Sequence, residues 1–252
     1  MEIRVERQAR HIAIVTIANE PRRNAMTRAM LADLAALWDR LDADEACRVV
    51  VLTGAGEKAF SSGADLTGDM SASPETAAIV SRALLKNTPF SKPIIAAVNG
   101  DCIAGGVELL LSTDIRAAAP EARFGLPEVR WSIYPFGGAT VKLTQQIGYV
   151  HAMDLLLTGR LVDAAFAERV GLVNRVVERA ELMPWALAKA AAIAANSPAA
   201  VQAVRTQISA GIADYARSRE ALEQELGDRV RASRHFAEGV AAFREKRKPD
   251  YS

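Results

Sequence analysis

Apolar positions in the first half of the chain either alternate or run together in short stretches bounded by glycine, asparagine and proline, the pattern of strands. Residues 3–7 and 11–18 alternate and predict a hairpin across a short polar turn. Residues 19–25 read as a loop carrying Arg22 and Arg23. Thr27 can cap a helix, and Met30, Leu34, Leu37, Trp38 and Leu41 then recur at helical spacing, predicting a helix to about Asp42 whose stripe is core. Residues 48–53 and 93–98 are continuous apolar runs and predict two more strands. Between them lie a small, glycine-rich loop at 58–66, a polar stretch of small residues at 69–74, read as mobile, and a helix at 75–87. Short strands follow at 115–119 and 123–124, then a turn at 125–128, a loop at 134–138 and a helix at 140–147. From there the pattern is mostly helical, at 152–157, 163–170 and 180–196, broken by one strand at 172–177. Helices at 199–210, 215–232 and 236–246 complete the chain, the first opened by Pro198 at a favoured N-terminal position. The shift from a mixed to a purely helical pattern near Asn196-Ser197-Pro198 divides the chain into a core, 1–196, and a helical C-terminal region, 197–252.

The stretch from Ala96 to Glu108 is the chemical centre of this pattern. The strand at 93–98 ends in Asn99-Gly100-Asp101, which is turn chemistry, and a helix then opens through Ala104-Gly105-Gly106. A helix that starts this way aims unpaired backbone N–H groups and the positive end of its dipole at whatever lies in front of it, and glycine lets a ligand come close. One turn later comes Glu108, among apolar residues. The stretch reads as an oxyanion site with a carboxylate beside it. Taken alone, it reads equally well as a buried helix packed through glycines. Gly125-Leu126-Pro127-Glu128 carries a second carboxylate on a turn.

Composition narrows the choice. The 252 residues are half hydrophobic, enough for one large core or one core with an appendage. Lys and Arg number 31 against 30 Asp and Glu, a net charge of +1, which speaks against a nucleic-acid-binding surface. Two scattered cysteines, Cys47 and Cys102, suit a reduced compartment, and no spacing of Cys and His suits a metal. No apolar run approaches the ~20 residues of a membrane helix, and the N-terminus alternates like strands rather than showing a secretion signal, so a cytoplasmic location is expected. Gly54-Ala55-Gly56 follows a strand but lacks the Lys and Ser/Thr of a nucleotide P-loop.

The order of several short motifs resembles the crotonase (enoyl-CoA hydratase/isomerase) superfamily along essentially the whole chain. They include Asn24-Ala25, Phe60-Ser61-Ser62-Gly63-Ala64-Asp65-Leu66, Ala96-Ala97-Val98-Asn99-Gly100, Gly105-Gly106-Val107-Glu108, Ala122 to Glu128, Gly137-Gly138, Leu157-Thr158-Gly159, Gly171-Leu172-Val173, and Glu238-Gly239 with Phe243 to Arg247. The resemblance implies an α/β fold, a crotonase-like spiral of ββα units, followed by a helical C-terminal region that serves trimerisation, with a homotrimer or a hexamer built as a dimer of trimers. It implies an acyl-CoA thioester as substrate and no separate cofactor or metal. The thioester oxygen would sit between the backbone N–H groups of Ala64 and Gly105. Arg23, Ala25, Ser62, Ala64, Asp65 and Leu66 would line the CoA site, joined by Phe243 and Lys246, positions that in the family often act from a neighbouring subunit.

Glu108 and Glu128 both fall where the resemblance places the two carboxylates of a hydratase. Adding water across a conjugated C2–C3 double bond requires deprotonation of water at C3 and delivery of a proton at C2, which two carboxylates in different protonation states can share. Glu108 is assigned the water and Glu128 the C2 proton. One departure stands out: Phe136 occupies a position that is typically glycine in a hydratase, with Trp131 and Tyr134 adding bulk, so these three are acyl-pocket candidates. Two other readings are open. In an isomerase a single carboxylate at Glu128 would shuttle a proton between C2 and C4. A non-catalytic CoA- or RNA-binding relative of the fold would need neither.

Overall fold

The computed structural model describes residues 1–9, 11–65 and 73–252. Strands β1 (Glu2–Ala9) and β2 (Ile12–Ala18) form the expected antiparallel hairpin. Helix α1 (Arg28–Ala43) is capped by Thr27, whose hydroxyl accepts a hydrogen bond from the Met30 N–H at 3.2 Å. Its stripe buries Trp38 completely, with the indole N–H donating to the Ala83 carbonyl at 2.9 Å.

Three consecutive units then repeat one plan. The first is β3 (Val49–Gly54), β4 (Ala59–Ser61) and α2 (Pro74–Ala83); the second is β5 (Ile94–Val98), β6 (Asp101–Ile103) and α3 (Gly105–Leu110); the third is β7 (Ile115–Ala118), β8 (Arg123–Gly125) and, after a short 3-10 turn at Pro127–Trp131, α4 (Ala139–Ile147). Each unit gives its first strand to one sheet and its second to another. The chain continues through α5 (Tyr149–Thr158), β9 (Val162–Asp163), α6 (Ala164–Arg169), β10 (Arg175–Val176) and α7 (Arg179–Ala194). The large sheet has the order β1-β2-β3-β5-β7-β10, parallel beyond the first pair; the small sheet runs β4-β6-β8-β9. This is the expected spiral of ββα units.

The continuous apolar runs are explained by burial on both faces, as parallel sheets require. Val50, Leu52, Ile94 and Ala96 face the main core, while Val49, Val51, Ile95 and Ala97 face a second core closed by Leu182, Ala186, Ala190 and Ala194 of α7. The last two helices fold back on the rest. Helix α8 (Pro198–Arg231) packs on α4, and α9 (Arg234–Glu245) packs on the 3-10 turn.

The structure corrects several expectations. The helices expected at 199–210 and 215–232 are one, α8, because a single mid-helix glycine, Gly211, costs only ~1 kcal/mol and its position faces open space. The loop at 58–66 contains strand β4, the turn at 99–101 runs into strand β6 at Asp101, and β9 was not read at all; two or three residues are too few to show a period. The turn at 125–128 is the end of β8 plus the start of the 3-10 turn. The helix expected at 75–87 stops at Ala83, α5 begins at Tyr149 rather than 152, and the strand at 172–177 shrinks to β10. Most of the stretch at 69–74 lies outside the described residues.

Two buried asparagines join the layers. Asn24, at φ 55°, donates to the Ala55 and Ala59 carbonyls at 2.9 and 2.7 Å and accepts from the Asn19 N–H at 2.9 Å. Asn99 accepts from the Gly54 N–H at 3.1 Å and donates to the carbonyls of Gly56 and Ala59 at 2.7 and 3.1 Å. Asn24→Ala strands two buried backbone groups, the Ala55 carbonyl and the Asn19 N–H, while the Ala59 carbonyl keeps Asn99, so it is expected to cost about 2 kcal/mol or more in urea unfolding, with an unchanged denaturant slope.

Candidate active site

The N-terminus of α3 is set by two close approaches. A side chain on Gly106 would lie 2.3 Å from the Ser61 carbonyl oxygen of β4, so only glycine lets the helix begin this close to the sheet. Ala104, the residue before the helix, is held at φ 53°, ψ −124°, with its N–H donating to the Gly125 carbonyl at 2.9 Å. On the facing loop, Met26 N–H donates to the Gly63 carbonyl at 2.8 Å and Asp65 N–H to the Met26 carbonyl at 2.9 Å, a parallel bridge centred on Met26 and Ala64. In such a bridge the groups of Ala64 itself point the other way. That side is Gly105, where a Cβ would stand 3.5 Å from the Ala64 nitrogen. The structure therefore brings the backbones of Ala64 and Gly105 side by side.

Both glutamates are buried, Glu108 at 5% and Glu128 at 8% exposure. Glu108, on α3, has its carboxylate under the turn that leads into α4. Its Oε1 accepts from the Ala139 N–H at 3.2 Å, and a Cβ on Gly137 would sit 2.3 Å from its Oε2. Burial raises its pKa to about 7 against these backbone donors, and the charge of Glu223 adds to the rise. Glu128, on the 3-10 turn, is pushed up to about 8, first by burial and then by the charge of Glu108. Its Oε2 is buried with no hydrogen-bond partner among the described residues.

Both carboxylates line a cleft of about 650 Å³. Its walls also include Arg23, Ala25, Ser62, Ala64, Asp65 and Gly105, and the three acyl-pocket candidates Trp131, Tyr134 and Phe136, with Phe243 from α9. Phe243 packs edge-on against Trp131, ring centroids 5.2 Å apart, so α9 covers the cleft of its own chain. Lys246 does not join them: it is exposed beyond the end of α9, at φ 56°, outside the cleft lining. Leu66 lies outside the described residues. At the mouth Arg22 forms a two-pronged ion pair with Asp65 at 3.0 Å, and Arg23 pairs with Asp101 at 2.9 Å.

Phe136 lines the cleft, yet its ring also fills the space left by Gly227 of α8, where a Cβ would come within 1.9 Å of the ring, and the Arg231 guanidinium stacks 4.6 Å from its centroid. The bulk noted in the sequence is thus shared between the cleft wall and the joint with α8.

Sequence reasoning missed the charges behind Glu108. Lys86 forms a buried ion pair with Glu223, and Lys142 of α4 donates to the Leu85 carbonyl and the Ser112 hydroxyl at 2.7 and 2.8 Å. Burial lowers the Lys142 pKa to about 7, with Glu108 acting in the opposite sense. The available signal was a lysine between Val141 and Leu143, and a glutamate sharing a helical face with Ala216 and Gly227. It also missed the apolar lining from Met26, Leu31, Leu84 and Ile103, which reads as ordinary core.

Among the described residues, no three or more His, Cys, Asp or Glu side chains are grouped to hold a metal ion, and no helix is long and apolar enough to cross a membrane. Comparison with known proteins agrees with the geometry. The chain is 41% identical to the enoyl-CoA hydratase EchA19 of Mycobacterium tuberculosis, over 98% of this chain and 95% of that protein. It is 37% identical to a short-chain-enoyl-CoA hydratase of Clostridium acetobutylicum, covering 94% and 92% of the two chains. The solved structure of a carnitinyl-CoA dehydratase from Mycobacterium avium superposes with a TM-score of 0.88 at 34% identity, over 99% of this chain and 98% of that one. The sequence pattern of the enoyl-CoA hydratase/isomerase family spans residues 7–252. The chain belongs to the enoyl-CoA hydratase/isomerase family.

Proposed function

We propose that this protein hydrates the 2,3 double bond of an enoyl-CoA thioester. The observation that carries the reading is the pair of buried glutamates, Glu108 and Glu128, in one cleft with the adjoining backbones of Ala64 and Gly105. The thioester oxygen lies between the two N–H groups, which stabilise the negative charge that develops there. Ionised Glu108 takes a proton from water as its oxygen bonds to C3. The double-bond electrons move toward the thioester oxygen, and the enolate then collapses to accept at C2 a proton from Glu128. With pKa values about 7 and about 8, the pair carries one proton on average at a pH midway between them, the state in which one carboxylate is base and the other acid.

The CoA portion runs along Arg23, Ala25, Ser62 and Asp65 toward the arginine-lined mouth, with Phe243 at its side and Lys246 available to a phosphate. The reaction uses no further cofactor. Trp131, Tyr134 and Phe136 bound the acyl end and favour a short chain. One relative in the comparison is named a short-chain-enoyl-CoA hydratase, and another, from Aspergillus fumigatus and 38% identical over 96% of this chain and 91% of that protein, a mevalonyl-coenzyme A hydratase. Val204, Ile208, Tyr215 and Leu222 are exposed along α8, an apolar stripe that supports assembly as a trimer or a hexamer through the region after residue 196.

With crotonyl-CoA, the absorbance of the conjugated thioester is expected to fall with wild-type protein. Glu108→Gln and Glu128→Gln should each lower kcat by about 10²–10⁴-fold while CoA-ester affinity changes little. Activity on a β,γ-unsaturated acyl-CoA that is lost in Glu128→Gln but not in Glu108→Gln would support the isomerase reading, and hydration that survives both changes refutes the mechanism. The pH profile of kcat should be a bell with its top between about 7 and 8: protonation of Glu108 removes the base on the acid side, and ionisation of Glu128 removes the acid on the alkaline side. A flat profile from pH 6 to 9, with chemistry limiting, would contradict it. Phe136→Gly should raise kcat/KM for a medium-chain relative to a short-chain enoyl-CoA by about tenfold; an unchanged ratio would assign Phe136 wholly to the joint with α8.

A further inference from the structure

Behind Glu108 lies a group of charges that the hydration mechanism does not use. Glu223 is 4% exposed and sits on α8, far along the chain from both catalytic candidates. Its Oε2 accepts from the Lys86 ammonium; its Oε1 is buried with no hydrogen-bond partner among the described residues. The Lys86 stem packs against the turn that covers the Glu108 carboxylate, since a Cβ on Gly138 would stand 3.3 Å from Lys86 Cγ, one residue from the Gly137 position that touches that carboxylate. The chain thus places a carboxylate, an ammonium and a second carboxylate in sequence, from α8 through the residues after α2 to α3.

Desolvating an ion pair costs several kcal/mol, and apolar side chains of similar volume would fill the same space with no such cost. Its presence behind Glu108 calls for a role, and position supplies one. Glu223 is the negative end nearest the outside of this row, so it opposes ionisation of Glu108, while Lys86 favours it. The other ionisable groups facing this region are Glu128 on the 3-10 turn, Tyr134 in the loop, Lys142 on α4, and Glu220 and Arg219 on α8; Arg205, farther along α8, acts on Lys142.

We propose that Glu223 is a positioning residue of the active site, acting with Lys86 to set the charge carried by Glu108, so that the C-terminal helical region is electrically part of the catalytic centre. The assignment rests on the reading of Glu108 as an acid–base group. It adds to that reading a residue that touches no substrate, and it makes the docking of α8 a condition for the correct ionisation of Glu108.

The test is a charge cycle read without substrate. The carboxyl carbonyl band of Glu108 is followed by infrared difference spectroscopy across pH, with its assignment fixed by its loss in Glu108→Gln. Glu223→Gln should lower the Glu108 midpoint by about one pH unit, and Lys86→Met, which keeps the packed stem, should raise it by a similar amount. The double variant and Glu223→Asp should return it to within about 0.3 unit of wild type. The acid limb of the kcat profile should move with the midpoint. A midpoint that stays put in both single variants, or moves the same way in both as loss of packing would make it, overturns the proposal. If an unpaired single variant does not fold, Glu223→Asp and the double variant decide, and a displaced midpoint in either overturns it. The hydratase reading fails separately: moving midpoints in a protein that turns over no enoyl thioester leave this inference standing and remove that one.

Discussion

The carboxylate of Glu108 occupies a space under the turn at residues 137–139 that no side chain at Gly137 could share, and taking that carboxylate out of water is the constraint on which the surrounding structure depends. A buried carboxylate must be neutralised, paired or given hydrogen bonds. This chain uses the first and the last, and sets cations at longer range in place of a direct pair. Proton affinity rises, backbone N–H groups of the turn face the oxygens, and the ammonium groups of Lys86 and Lys142 stand behind. The same requirement fixes the neighbours. α3 must start against Ser61, α4 must begin at the turn, and α8 must bring Glu223 to balance Lys86. The cleft is therefore positioned by its charges as much as by the sheets.

The fold was legible in the sequence where burial imposes a long pattern. Residues 49–54 and 94–98 are apolar on both faces because a helix lies on each side, and that two-sided burial leaves a continuous run. The stripe of α1 and the hairpin were equally plain. What escaped was short or non-local. Strand β4 has three residues, and its existence depends on β6, forty residues later. The unity of α8 depends on what a glycine in open space does not cost. At the site, glutamates and glycines could be placed by resemblance, because their spacing is local. The Lys86–Glu223 pair spans 137 residues, and neither member stands in a recognisable motif. Lys246, which the same resemblance makes a CoA contact often supplied across subunits, is itself the left-handed residue that ends α9 and lies outside the cleft lining of its own chain.

The last two helices belong to the cleft as well as to the surface. Phe243 of α9 and Trp131 form one wall, Tyr251 at the end of the chain donates to the Arg130 carbonyl at 3.0 Å, and Gly227 of α8 makes room for Phe136. The region that resembles an assembly module in sequence is thereby committed on one side to the interior of its own chain, while its apolar stripe remains on the other.

Ala104 brings a different kind of consequence. An L-residue at φ 53°, ψ −124° is strained by about 1–3 kcal/mol, and it stands directly before the backbone donor of Gly105. The strain is held in place by the hydrogen bond to Gly125 and by contact with the loop at Gly63. A glycine there would carry no such tension, but it would also give the donor more directions in which to point. The methyl group of Ala104 thus acts as a set screw. It converts the pairing of two three-residue strands into rigidity at a single N–H.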